Sequence, residues 1–323
     1  MLENYHLYLR KLFYFFKLVR LPNLIIVGIT QYLIYRFLLG NIFNQYDIES
    51  SLNYSELSIF IFITLCITAG GYIINDIFDL ATDLINKPLT RILNLKISTG
   101  IGWYFYFFST ILGAILAFYL AQIRQEPELW FLYPIAIFLL YAYSKWLKGT
   151  PLMGNILVSI FCAAVPGIFF LTEWTGFKTL GQIQPEVSYR LKTILFSYAV
   201  FAFFTNFLRE IVKDLQDEKG DRLSKLNTTV VFFGKKNTKI IGILVALLSS
   251  VIIIFCFLHP LFFKTPYLFN LQLLLIQLPL FICIKQIYQA DKEDEFKKVG
   301  LWIKIIMING LILLTYIIFQ QNG

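Results

Sequence analysis

Residues 57–83 read LSIFIFITLCITAGGYIINDIFDLATD, an apolar run that closes in a cluster of aspartates. No Asp, Glu, Lys or Arg occurs between Leu57 and Asn75. At a rise of about 1.5 Å per residue, such a run covers roughly the thickness of a bilayer's hydrocarbon core. Asp76, Asp79 and Asp83 follow at once. The stretch predicts a membrane-spanning helix with an acidic cluster at one end.

The composition extends this prediction to the whole chain. Of its 323 residues 58% are hydrophobic and 15% are charged, and the mean hydropathy is +0.68. Soluble domains have about 45–50% apolar and roughly 25% charged residues. These values exclude a disordered chain, a nucleic-acid-binding surface and a disulfide scaffold. We predict an all-α, polytopic membrane protein.

Nine apolar runs are long enough to be transmembrane helices, and six prolines fall between or at the ends of these runs. We treat residues 1–323 as a single membrane-embedded domain, with residues 1–20 as an interfacial N-terminal helix before Pro22 opens the first span. The predicted spans are 22–39, 57–77, 101–123, 129–146, 151–172, 191–212, 240–258, 267–285 and 300–320.

The basic residues are distributed unequally between the two sides that nine spans define. Of 28 Lys and Arg residues, 21 fall at the N-terminus or in the loops after even-numbered spans, and five fall on the opposite side. Cytoplasmic loops carry such an excess. We therefore predict a protein of the cell membrane whose N-terminus and Asp-bearing loops are cytoplasmic.

A second acidic cluster closes the sixth span and repeats the spacing of the first. Its aspartates are Asp214, Asp217 and Asp221, again at i, i+3 and i+7, which share one face of a helix. Like charges on one face repel each other, and their desolvation near a membrane is costly. Paired carboxylate rows suit Mg²⁺, which takes oxygen ligands and bridges them to substrate phosphates.

Basic residues predicted on the same side of the membrane complement these carboxylates. Arg or Lys beside Mg²⁺ clamps a diphosphate. Each of these residues could instead be a topology anchor. The candidates are Arg91, Lys145, Lys148, Arg209 and Lys213.

Asn75-Asp76-x-x-Asp79-x-x-x-Asp83 with Asp217-x-x-x-Asp221 resembles the paired signature of the UbiA superfamily of intramembrane prenyltransferases. Arg20-Leu21-Pro22-Asn23 and the segment from Tyr141 to Lys148 fit the same family. Within it, the chain is similar to the geranylgeranylglycerol-phosphate geranylgeranyltransferases. That similarity rests on Arg209 to Asp214, Leu147 to Pro151, and Gly154-Asn155.

The resemblance implies nine helices around a central cavity that two Asp-bearing loops cap. It implies that Asn75, Asp79, Asp83, Asp217 and Asp221 hold two Mg²⁺ ions on a prenyl diphosphate. Asp76 and Asp214 belong to the same metal-binding motifs. Asp79, Asp83, Asp217 and Asp221 are the residues on which catalysis depends.

The expected chemistry is loss of diphosphate from an allylic carbon, followed by attack of an acceptor. The candidate substrate-binding residues in the cavity are Asn23, Tyr72, Tyr141, Tyr143 and Asn155. In the resembled subgroup the acceptor is the hydroxyl of a prenylglycerol phosphate, and the product is an ether lipid. Two alternatives stay open: an aromatic acceptor of quinone biosynthesis, and a membrane transporter.

Overall fold

The structure is a computed structural model that describes residues 11–258 and 266–321. This part of the chain is helical and contains no strand, only an isolated bridge between Leu93 and Ile97. The helices are α1 (11–18), α2 (Leu21–Gln45), α3 (Tyr54–Phe78), α4 (Leu80–Asn86), α5 (Thr99–Arg124), α6 (Leu132–Ala142), α7 (Met153–Thr172), α8 (Trp174–Ile183), α9 (Pro185–Leu223), α10 (Thr229–Leu258), α11 (Tyr267–Gln289) and α12 (Glu293–Gln321).

Eight helices in the described residues are long and apolar enough to cross a membrane, and each covers one predicted span. The ninth predicted span, 129–146, corresponds to the shorter α6, which a 3₁₀ turn precedes and a π-helical segment, Tyr143–Leu147, follows. The protein is therefore an all-α, polytopic membrane protein, as predicted. Residues 1–10 of the expected interfacial helix lie outside the described residues, and 11–18 are helical.

The chain divides into two compact units. Unit 1 comprises the residues up to Ile29, Leu52–Lys148 and Lys219–Lys225. Unit 2 comprises Thr30–Ser51, Gly149–Glu218 and the residues from Leu226 onward. The prediction of one domain over 1–323, with a central cavity, stays a prediction.

The antiparallel pair α3 and α5 is the framework of unit 1. Asn53 begins α3 with a capping box, in which its side chain accepts from the Ser55 and Glu56 amides while Glu56 Oε2 accepts from the Asn53 amide at 2.9 Å. Small residues let the helices approach, since a methyl group on Gly70 would lie 3.3 Å from Thr110.

The opposite face of α5 is apolar and exposed. Tyr104, Phe108, Ile111, Ile115 and Phe118 lie three or four residues apart along the helix, and each is more than half exposed. A stripe of this kind on a long apolar helix faces lipid in a membrane protein.

The N-terminal segment joins the same unit through a sharp joint. Leu18 and Val19 are buried in a cluster with Ile73, Ile74 and other residues of unit 1. Arg20 then adopts a left-handed backbone, with φ 53°, and α2 begins at Leu21. Pro22 falls in the first turn of α2, as predicted. The joint places the Arg20 side chain beside α3.

A buried carboxylate organises one end of unit 2. Glu173, between α7 and α8, is fully buried. It accepts hydrogen bonds from the Tyr35 hydroxyl, from the Ser51 amide at 3.0 Å and from the Ser51 hydroxyl at 3.0 Å. Phe43 packs beside it against Phe177, with ring centroids 5.9 Å apart. Glu173 therefore links α2, the loop after α2, and the α7–α8 junction.

Polar side chains connect the last three helices of unit 2. Ser250 Oγ of α10 donates to Gln277 Oε1 of α11 at 2.5 Å, and Asn309 Nδ2 of α12 donates to the Leu275 carbonyl at 2.8 Å. Hydrogen bonds of this kind hold membrane helices together where lipid offers no hydrophobic driving force.

Candidate active site

The first aspartate motif lies at a helix junction. Helix α3 ends at Phe78, α4 begins at Leu80, and Asp79 between them has ψ near 0°. The helical hydrogen bonds continue across the junction, from the Asp79 amide to Asn75 and from the Asp83 amide to Asp79. The motif is therefore divided between two helices, whereas its spacing predicted one helix face.

Lys148 joins two members of this motif. Its ammonium forms an ion pair with Asp79 Oδ2 and lies 3.3 Å from Asn75 Oδ1. The Asn75 side-chain amide also donates a hydrogen bond, from Nδ2 to Asp79 Oδ2, at 2.8 Å. Lys148 follows the π-helical segment, and its amide donates to the Tyr143 carbonyl five residues back, at 2.9 Å. Such π segments are frequent at functional sites.

Asp76 has a different partner. Arg20 Nη2 lies 2.9 Å from Asp76 Oδ1, and the guanidinium also lies over the Tyr72 ring, 4.5 Å from its centroid. Asn23 Nδ2 donates to the Tyr72 hydroxyl at 3.1 Å. The structure thus brings together the predicted residues Asn23, Tyr72 and Asp76, and adds Arg20 to them.

Asp83, the last residue of the first motif, and the predicted site residue Arg91 both have partners at the end of α4 or in the loop that follows it. Asp83 pairs with Lys87, four residues later, at 2.9 Å. Arg91 Nη1 donates to the Pro88 carbonyl at 2.9 Å, while its Nε is buried with no hydrogen-bond partner among the described residues. Arg91 therefore has a guanidinium that is incompletely satisfied within the loop.

The aromatic candidates lie on either side of the α6 end. Tyr143 is buried, and Tyr141 packs edge-on against Phe78, with ring centroids 5.5 Å apart. Lys145 is exposed, and its ammonium lies 5.6 Å from the Tyr141 centroid and 4.9 Å from the Trp146 centroid. Lys145 and Lys148 thus differ: Lys148 contacts the first motif, and Lys145 contacts aromatic rings.

The second motif is continuous helix, because Asp214, Asp217 and Asp221 all lie within α9. The prediction of an Asp-bearing loop is wrong here in detail, since the loop begins only after Leu223. Asp214 Oδ2 accepts from Asn155 Nδ2 at 2.9 Å, and the same Nδ2 lies 3.3 Å from Thr229 Oγ1. Asn155 and Thr229 are both buried.

The basic residues before the second motif share one acidic neighbour. Arg209 Nη1 lies 3.7 Å from one carboxylate oxygen of Glu210, and Lys213 Nζ lies 3.9 Å from the other. Farther along α9, Glu218 pairs with Lys235 of α10 at 3.3 Å. The Glu210 carboxylate therefore lies near both of the cations that we predict to bind diphosphate.

Within unit 1, the end of the second motif packs against the C-terminal end of α4. A methyl group on Gly220 would overlap the side-chain amide of Asn86, the last residue of α4. Asp221, the next residue, is buried. This contact places the segment that carries Asp221 beside the helix that carries Asp83.

The donor set of both motifs consists of carboxylate and amide oxygens, the ligands that Mg²⁺ prefers. In the ranges that the structure describes, no three His, Cys, Asp or Glu side chains are grouped as a ready metal site. In unit 1 the cations Arg20, Lys87 and Lys148 pair with the aspartates instead. The oxygen chemistry fits Mg²⁺, and the assignment of ligands stays a prediction.

Sequence reasoning missed several residues of this region as site residues. Lys87 is four residues from Asp83, a spacing that was available as a signal. Glu210 lies inside the quoted Arg209-to-Asp214 segment. Arg20 lies in the quoted Arg20-to-Asn23 segment, but its pairing with Asp76 spans 56 positions. Thr229 carried no signal, because a threonine at the start of a helix is ordinary.

Comparison with known proteins decides the family. A family model, the UbiA prenyltransferase family, matches residues 37–307. The chain belongs to the UbiA prenyltransferase family. Accordingly, this UbiA-family protein is a prenyltransferase, and its long apolar helices make it an integral membrane protein.

Among relatives, the chain is 33% identical over 245 residues to a Korarchaeum cryptofilum protein named digeranylgeranylglyceryl phosphate synthase, which covers 75% of this chain and 79% of the relative. A Sulfurisphaera tokodaii protein of the same name is 26% identical over 305 residues, which covers 93% of this chain and 95% of the relative. A solved structure described as digeranylgeranylglyceryl phosphate synthase in membranes has a TM-score of 0.57 at 23% identity, with 95% of this chain and 98% of that one covered. This last similarity shows the shared fold.

Proposed function

We propose that this UbiA-family prenyltransferase transfers a geranylgeranyl group from its diphosphate to the hydroxyl of a prenylglycerol phosphate, with Mg²⁺ as cofactor. The product is an ether lipid. The observation that carries this proposal is the meeting of Lys148, Asn75 and Asp79 at the end of a membrane helix. The acceptor is supported by the relatives that are named digeranylgeranylglyceryl phosphate synthase.

The residues that would hold Mg²⁺ are Asn75, Asp79, Asp83, Asp217 and Asp221. Bound there, Mg²⁺ supplies charge stabilisation to the departing diphosphate. The Lys148 ammonium contacts both Asn75 Oδ1 and Asp79 Oδ2, so these two oxygens already face a cation of the protein. This observation supports their assignment as ligands.

The chain's own cations complete the diphosphate site in this proposal. Lys148, Arg91, Arg209 and Lys213 neutralise the phosphate oxygens that carry the developing negative charge. Arg91 Nε, buried without a hydrogen-bond partner in the described part of the chain, supports a role for this side chain toward an anion. Glu210 keeps Arg209 and Lys213 in place through its two carboxylate oxygens.

The aromatic residues act on the organic part of the substrate. Loss of diphosphate leaves a delocalised allylic cation, which water would quench. Tyr72, Tyr141 and Tyr143 offer ring faces to a cation, and Tyr72 already lies under the Arg20 guanidinium. The acceptor hydroxyl then attacks the allylic carbon, and its proton passes to an oxygen of the released diphosphate.

Product analysis tests this function directly. Purified protein is incubated with Mg²⁺, labelled geranylgeranyl diphosphate and either a prenylglycerol phosphate or a hydroxylated aromatic acid. We expect a labelled ether lipid, identified by mass spectrometry, that disappears when EDTA is added. A carbon–carbon product from the aromatic acceptor alone would replace this proposal with the quinone alternative.

A further inference from the structure

The first aspartate of each motif is held by side chains from other helices. Asp76 meets Arg20, which lies immediately before α2. Asp214 meets Asn155 of α7, whose side-chain amide also donates to Thr229 of α10. The two arrangements use different donors in different units, so neither is a consequence of the other.

The contacts of Asp76 form a fixed chain. The planar Arg20 guanidinium bonds Asp76 on one side and covers the Tyr72 ring on its face. Asn23 in turn donates to the Tyr72 hydroxyl. Since Arg20 lies in the left-handed joint between α1 and α2, its backbone position is also set. An arginine that pairs with a carboxylate and stacks on a ring loses its ion pair and disturbs its ring contact when it releases that carboxylate.

The contacts of Asp214 are uncharged and buried. Asn155 Nδ2 donates to Asp214 at 2.9 Å and also lies 3.3 Å from Thr229 Oγ1. The Leu152 amide donates to the same Thr229 oxygen at 3.2 Å. These bonds orient Asn155 toward the carboxylate, so Asp214 Oδ2 is directed at a protein donor.

The later aspartates of the first motif have lysine partners. Asp79 and Asp83 pair with the ammonium groups of Lys148 and Lys87, which are point charges on flexible stems. The Asp83–Lys87 pair is an i,i+4 pair with a half-exposed lysine, a type that contributes about 0.3–0.5 kcal/mol. Each ammonium is a single charge without a ring contact of the kind that Arg20 makes, and it marks a position at which a cation faces the aspartate oxygens.

We propose that Asp76 and Asp214 are positioning residues, which lock the two motifs to neighbouring helices, while metal ligation falls to the later aspartates. Asn155 and Arg20 act through them, and not on substrate. This inference rests on the proposed Mg²⁺–diphosphate function, and it reassigns Asp76, Asp214 and Asn155 within that function.

Metal binding tests the assignment without turnover. Full-length protein in detergent is titrated with Mn²⁺ in the presence of inorganic pyrophosphate, and free Mn²⁺ is measured by electron paramagnetic resonance. Asparagine keeps an acceptor oxygen for Arg20 or Asn155, so Asp76→Asn and Asp214→Asn should change the Mn²⁺ Kd less than threefold. Asp79→Asn and Asp217→Asn should raise it at least tenfold.

Two results of the Mn²⁺ titration would overturn the proposal. A tenfold rise for Asp76→Asn or Asp214→Asn would make that residue a ligand and overturn the proposal. No Mn²⁺ binding by the wild type, or equal binding by all variants, would overturn it as well. The expected Kd pattern in a protein that transfers no prenyl group would instead reject the proposed function alone.

Rescue distinguishes positioning from general structural support. Asp76→Ala and Asp214→Ala should lower kcat about tenfold with little change in the diphosphate KM, and asparagine should recover most of that loss. At Asp79 asparagine should not recover activity, because it removes the negative charge that Asp79 supplies beside the neutral ligand Asn75. Failure of asparagine at both first aspartates would contradict the proposal. If the alanine variants do not fold, the asparagine variants still decide it.

Discussion

At the scale of single residues, Lys145 and Lys148 are only three positions apart in the sequence, yet their side chains lie in different environments. Lys148 lies on Asn75 and Asp79, whereas Lys145 is exposed beside Tyr141 and Trp146. In the proposed reaction, a glycerol-phosphate acceptor brings a dianion to a site that also binds a diphosphate. The two lysines therefore suit the two phosphate groups.

Lys148→Gln removes the cation beside the first motif. We expect the KM for geranylgeranyl diphosphate to rise about tenfold or more, which corresponds to about 1.4 kcal/mol of binding. The acceptor KM should change little. Steady-state kinetics with each substrate varied in turn measures this, with Lys285→Gln, an exposed lysine on α11, as the control. An unaltered diphosphate KM would leave Lys148 as a topology anchor.

Lys145→Gln should have the complementary effect. We expect about a tenfold higher KM for a prenylglycerol phosphate, because the exposed ammonium is available to the acceptor phosphate. The diphosphate KM should stay within twofold of wild type, as should turnover of any neutral aromatic acceptor. Equal losses with charged and neutral acceptors would contradict a phosphate contact.

At the scale of elements, the last turns of α9 approach α4 through Gly220. Any side chain there meets the Asn86 amide. Gly220→Ala should therefore displace the segment that carries Asp221 and lower kcat at least tenfold. Overpacking of this kind costs about 1–3 kcal/mol.

A compensating change makes this prediction specific. Asn86→Ala removes the group that Gly220→Ala would meet, so the double variant should regain part of the lost kcat. The control is Gly300→Ala in α12, where a methyl group meets no neighbour within 4 Å. If the control and Gly220→Ala behave alike, the close approach has no consequence for activity.

The Glu173 cluster links several elements of unit 2. Glu173→Ala leaves the buried Tyr35 hydroxyl and the Ser51 groups without their acceptor. Each unsatisfied buried group costs about 1–3 kcal/mol, so we expect a loss of about 3 kcal/mol in stability. Thermal unfolding in detergent measures this, with the exposed Glu186→Ala as control. A transition temperature equal to that of the control would refute the structural role of Glu173.

At the scale of the whole molecule, the distribution of basic residues predicts orientation. We expect a cysteine introduced as Ser224→Cys, between α9 and α10, to react with an impermeant maleimide only after cells are permeabilised. Lys178→Cys, on α8, should react in intact cells. The four native cysteines lie within helices, and wild-type protein gives the background. The reverse labelling pattern would place the proposed active site outside the cell.

The sequence by itself determined the class of protein, the positions of the long helices and the residues of both aspartate motifs. Burial in lipid is a constraint on local composition, so an apolar run reports it without knowledge of the fold. The short α6 was less well defined, because a 3₁₀ turn and a π segment divide its apolar run.

Only the tertiary structure decided which side chains hold the motifs. Arg20 meets Asp76 across 56 positions, Lys148 meets Asp79 across 69, and Asn155 meets Asp214 across 59. These pairings depend on how helices pack, on the left-handed joint at Arg20 and on the extra residue that the π segment accommodates before Lys148. None of these features leaves a periodic trace in the sequence, since each depends on the rotation of one helix against another.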